Sequence, residues 1–240
     1  MSQFPQTQRV ELEYGTDSSV MVSFFNMVYA WMAVGLAVTA AVSWYVSKND
    51  ALLSIFAGGG TLFTVFIFLA MFGIAMLVQT AALKISAGLG TLLFMVYATL
   101  MGALLAPIYI IYDVKTIGAA FALTGGVFAV MSVIGFITKK DLTKLGMILT
   151  MALVGLILAS FVNLFFFSAD GILSWAVTYG ILAVFIGLTA YQTQMLKNTA
   201  MQLRDQPDLL QRYAIIGSLV LYIAFINMFM AILRILGDRR

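Results

Sequence analysis

Leu145 to Ala169 reads LGMILTMALVGLILASFVNLFFFSA, an unbroken stretch without a single charge. At about 1.5 Å per helical residue it exceeds the roughly 20 residues needed to cross a hydrocarbon core of about 30 Å. The polar run Lys139-Lys140-Asp141 and Lys144 precedes it, and Asp170 follows. Charge at both ends with none between is the pattern of a membrane-spanning helix, and it recurs in both directions along the chain.

Upstream, the expected helices are Val20 to Val46, Thr61 to Leu83, Ile85 to Tyr112 and Thr116 to Thr138. Ala51 to Phe56 reads as an interfacial segment before Gly58-Gly59-Gly60, and Pro107 allows a kink or an early end. Downstream, Gly171 to about Tyr191 forms the sixth helix and Tyr213 to Leu233 the seventh, with Gln192 to Arg212 a polar connection between them. The expectation is an all-α integral membrane protein: a polar segment over 1–19, a seven-helix bundle over 20–236 and a short basic tail over 237–240. The first segment lacks the pattern of a cleaved signal peptide, so insertion through the first helix is expected.

Composition agrees. Of the 240 residues, 62% are hydrophobic and 10% charged, against about 45–50% and about 25% in soluble domains. Histidine and cysteine are absent, which removes disulfides, thiol nucleophiles, imidazole bases and His-ligated metals. No nucleophile–base pair is assembled, so no catalytic residue, cofactor or resident metal is expected and the chain reads as non-enzymatic. The net charge of +3 is better read through the loops than as a nucleic-acid signal.

Seven spans put Arg9, Lys84, Lys139, Lys140, Lys144, Lys197, Arg204 and Arg212 on the N-terminal side, and Lys48, Lys115, Arg234, Arg239 and Arg240 on the other. The positive-inside rule then predicts a cytoplasmic N-terminus and an external C-terminus. A final helix that fails to cross is the main rival. The basic connections 139–144 and 197–212 are the expected contacts for a soluble domain or anionic lipid.

Within the spans, Gly118, Ala122 and Gly126 form a small-residue stripe suited to helix packing. Asn26, Gln79, Asn163, Gln192, Gln194 and Asn227 are the amides, for which interhelical hydrogen bonds are the default. Ala224, Asn227, Ala231 and Arg234 share one face of the last helix, expected to look into the bundle. If a polar path exists, Asn163, Gln194, Asn227 and Arg234 are its candidate lining. Asp113, Asp141 and Asp170 sit at helix ends and read as boundary charges.

The segments Phe136-Ile137-Thr138-Lys139-Lys140-Asp141-Leu142, Leu158-Ala159-Ser160-Phe161-Val162-Asn163, Gly187-Leu188-Thr189-Ala190-Tyr191-Gln192-Thr193-Gln194 and Leu221-Tyr222-Ile223-Ala224-Phe225-Ile226-Asn227 together resemble the Bax inhibitor-1 family, closest to its bacterial branch. That resemblance implies a bundle with its last helix central and a location in the bacterial inner membrane. It also implies a pH-sensitive calcium leak in some members, cell-death control in eukaryotic ones and modulation of a membrane-bound AAA protease in a bacterial one. The aspartate pair that the resemblance leads one to expect is replaced here by Gln192 and Ala224. Neither residue titrates, so the expectation is a calcium or cation leak without its pH switch. The alternative is a non-conducting regulator that binds a membrane partner such as a protease.

Overall fold

The computed structural model describes residues 6–80, 86–166 and 171–237. All regular structure among them is helical: α1 (Gln6–Ser47), α2 (Asp50–Gly58), α3 (Gly60–Thr80), α4 (Ala87–Leu105), α5 (Ile108–Ile111), α6 (Val114–Ile137), α7 (Thr143–Phe166), α8 (Ile172–Gln202) and α9 (Pro207–Leu236). Six stretches are long and apolar enough to cross a membrane, lying in α1 from Ser19, in α4 with α5, and in α6, α7, α8 and α9. Val65–Thr80 within α3 is a further, shorter apolar stretch. The chain is an integral membrane protein of the all-α class.

Several boundaries differ from those expected. The polar N-terminal segment continues α1 as helix from Gln6. Gln192 to Arg212 is not a loop: α8 runs on to Gln202 and α9 starts at Pro207. Polarity ends a membrane span but not a helix, and between Gly187 and Pro207 the chain contains no glycine or proline to break one. Pro207, which lacks an N–H, sits in the first turn of α9, where that donor has no intrahelical acceptor. Pro107 ends the α4 run and starts α5, as its sequence position suggested. Gly60, with φ +75°, takes the left-handed turn between α2 and α3 that a side chain would resist. Lys84, Asp170 and the tail from Asp238 lie outside the described residues.

The last helix is the core. In its most apolar window 78% of α9 is buried, against 6% for α7. α9 packs on α1, α4, α6 and α8, and more lightly on α3, whereas α7 packs mainly on α8. Since lipid is as apolar as leucine, such contacts gain from close packing rather than from escape from water. Small residues therefore mark them, though not where the sequence suggested. Gly118, Ala122 and Gly126 face outward, and nothing lies within 4 Å of a side chain added at either glycine. The face of α6 that packs inward is Ala120, Thr124, Phe128, Ser132 and Gly135.

At Gly135 an added Cβ would run into the backbone carbonyl of Ala190 on α8. Gly135→Ala should accordingly destabilise the bundle by about 1–3 kcal/mol, the usual range for overpacking. Gly126→Ala should leave stability unchanged or raise it. Thermal unfolding of the detergent-solubilised protein compares the two, and equal melting temperatures would contradict the α6–α8 packing.

Candidate functional site

Three buried polar clusters cross between helices. In the first, Tyr222 of α9, fully buried, places its hydroxyl 2.6 Å from Thr39 Oγ1 of α1. Thr39 Oγ1 in turn lies 3.0 Å from the carbonyls of Gly35 and Ala98. A threonine hydroxyl has one proton, which these carbonyls take, so Tyr222 is the donor to Thr39. The rings of Phe94 and Tyr97 from α4 stand edge-on to Tyr222, at 5.4 and 5.9 Å between centroids. One phenol thus joins α1, α4 and α9.

The second is a directed chain of hydroxyls. Thr193 Oγ1 donates to the Thr189 carbonyl at 2.8 Å, so it accepts from Ser132, 3.0 Å away, and Ser132 accepts from Tyr29 at 2.6 Å. The proton direction Tyr29 to Ser132 to Thr193 ties α1, α6 and α8 together. Sequence reasoning passed over these hydroxyls, which carry no charge and differ little from apolar positions. Their faint signature is spacing by four: Thr189 with Thr193, and Thr124, Phe128 and Ser132 on one face of α6.

The third fixes the α6–α7 connection. Gln194 Oε1 accepts from the Leu142 amide at 2.8 Å, while its Nε2 donates to the Lys140 carbonyl at 2.8 Å and to that of Thr138 at 3.4 Å. Lys197 Nζ donates to the Phe136 carbonyl at 2.9 Å and lies 4.9 Å above the Phe136 ring. Gln194 therefore acts as a clamp on this connection. Asp141 starts α7 by accepting from both Oγ1 and N–H of Thr143, at 2.6 and 2.9 Å. These bonds, chiefly that from the hydroxyl, hold its carboxyl below the usual carboxylate range, with help from Lys144. A lowered native pKa stabilises the fold at neutral pH, and that contribution disappears as pH falls below about 4 and through the native value.

The remaining expected site residues are spread out. Ala224 is fully buried in α9. Leu196 packs on Gly217, and this antiparallel register sets Gln192 level with Leu221, about one helical turn from Ala224 along the axis. Gln192 Oε1 is buried without a hydrogen-bond partner, as is Asn163 Oδ1 on α7. Asn227 bonds to the carbonyl of Ile223 in its own helix, at 2.8 Å, rather than to a neighbour. Asn26 and Gln79 lie on exposed faces. Arg234 belongs to the opposite end of the bundle, where it donates to the buried Ser174 Oγ at 2.6 Å and covers the Trp175 ring at 5.4 Å. Asp113 and Asp141 are exposed helix-end residues, as their boundary reading required. Among the described residues, no three acidic side chains come together as a metal site.

An all-helical membrane bundle that encloses its final helix is the architecture the family resemblance implies. The chain belongs to the Bax inhibitor-1 family, whose model, described as inhibitor of apoptosis-promoting Bax1, matches residues 21–240. It is 42% identical over 220 residues to the inner membrane protein YbhL of Escherichia coli, covering 91% of this chain and 92% of that protein. A protein from Borreliella burgdorferi is 37% identical over 90% of this chain and 92% of its own. One from Deinococcus radiodurans is 34% identical over 100% and 98%.

Replacing Gln194 with leucine should free the connection over 138–142. Loss of its hydrogen bonds, each worth about 1 kcal/mol, should speed local opening roughly tenfold or more. Trypsin cleavage after Lys139 and Lys140 in the purified protein reports this, and unchanged cleavage kinetics would remove Gln194 from the role of clamp.

Proposed function

We propose that this protein is a non-enzymatic Bax inhibitor-1 family protein of a bacterial inner membrane that passes calcium or other cations slowly and without a pH switch. The observation that carries the reading is the buried, unpartnered amide oxygen of Gln192. A buried acceptor without a partner costs about 1–3 kcal/mol, and water or a passing cation would relieve it. Close by, Ala224 brings no carboxylate. Two neighbouring carboxylates would share a proton and bias the helices as they titrate; an amide and a methyl group hold the same balance at every pH. Calcium binds best to several oxygens including carboxylates, so a site built on Gln192 would pass the ion without holding it.

Calcium flux into proteoliposomes should vary little between about pH 6 and 8, because without histidine or cysteine only the terminal amine titrates there. Gln192→Asp combined with Ala224→Asp should make flux pH-dependent across that window, and each single substitution should do less. A steep pH response in the unaltered protein would overturn the reading, and zero flux for every cation tried would point to the non-conducting regulator instead.

The same proposal includes seven crossings, with α3 as the second, and a cytoplasmic N-terminus. Its support is the charge asymmetry between the two sets of connections. A reporter fused after Arg240 should be active only outside the cytoplasm; cytoplasmic activity would reverse the assignment.

A further inference from the structure

We infer that the connection between α6 and α7 is a binding site for the phosphate headgroups of anionic phospholipids, formed by Lys139, Lys140 and Lys144. All three are exposed, and neither Lys139 nor Lys140 has an ion pair among the described residues. Their depth follows from their neighbours. Ile137 is 65% exposed, Leu145 44% and Ile148 63%, on helices that face lipid, so the lysines lie within a turn of the hydrocarbon edge, at headgroup level. Lys144 and Ile148 are four apart on α7 and share one face, which sets an ammonium directly over a lipid-contacting side chain.

The clamp distinguishes this segment from an ordinary basic loop. Gln194 holds the backbone at Thr138, Lys140 and Leu142, and Lys197 is committed to Phe136. The Asp141 carboxylate is turned to Thr143 and attracts Lys144, leaving Lys139 and Lys140 an outward anion to meet. A connection fastened along its inner side cannot lift away to follow a soluble partner, but it presents its lysines to the bilayer at a fixed height. The inference is independent of whether the protein conducts ions.

The test uses the full chain in phosphatidylcholine bilayers with trace spin-labelled phosphatidylglycerol or spin-labelled phosphatidylcholine. Electron paramagnetic resonance then gives the motionally restricted fraction of each lipid. Phosphatidylglycerol should be preferred by on the order of fivefold, as expected when about one lysine's worth of surface attraction is realised. The preference should fall towards parity in Lys139→Gln/Lys140→Gln/Lys144→Gln and at high salt. Lys48→Gln/Lys115→Gln should retain it, and Gln194→Ala should weaken it although every charge remains. An unchanged restricted fraction of phosphatidylcholine verifies that each variant is folded. Full preference in the triple variant would overturn the proposal, and so would displacement by millimolar inorganic phosphate. Lack of preference in the unaltered protein would also overturn it and leave this face to an acidic protein partner.

Discussion

A polar atom in hydrocarbon must find its partner inside the protein, and here that requirement decides which helices touch. The hydroxyl of Tyr222 has no water to turn to at full burial, so α1 must bring Thr39 to it. The Tyr29, Ser132 and Thr193 hydroxyls impose the same demand on α1, α6 and α8. Apolar packing in lipid is nearly indifferent to which oily faces meet. Because each hydroxyl has one proton and a defined acceptor, these bonds set rotation and register where oily contacts would not. The close approach of Gly135 to Ala190 follows from that register.

The sequence made the class of fold legible through the lengths of its uncharged runs, a signal written by the thickness of the bilayer. The central position of the last helix was implied by the family resemblance; the face shared by Ala224 and Asn227 indicated only a side turned inward. The reach of α8 was not, because Thr193 and Gln194 look like loop residues until their buried partners are known. The outward stripe of Gly118 and Gly126 misled for a related reason: small residues permit close packing without requiring it. Of the site, the non-titrating character of Gln192 and Ala224 could be read directly, whereas the role of Gln194 depended on three backbone groups that no side-chain pattern encodes.

Gln192 and Ala224 carry no group that gains or loses a proton near neutral pH, and no histidine or cysteine elsewhere in the chain supplies one. Ala224 presents a methyl group and Gln192 an amide oxygen, so neither changes its charge with pH. Both positions lie within residues 21–240, the stretch that matches the family.

α8 is 31 residues long and α9 is 30. At 1.5 Å per residue each spans about 45 Å, well beyond a hydrocarbon core of about 30 Å. Some of this hairpin must stand among the headgroups or in water, and Gln192 and Gln194 lie towards its polar end. Bilayer thickness therefore sets how much of the polar end of this hairpin is covered by hydrocarbon, while the Gln192 amide oxygen stays enclosed by protein atoms.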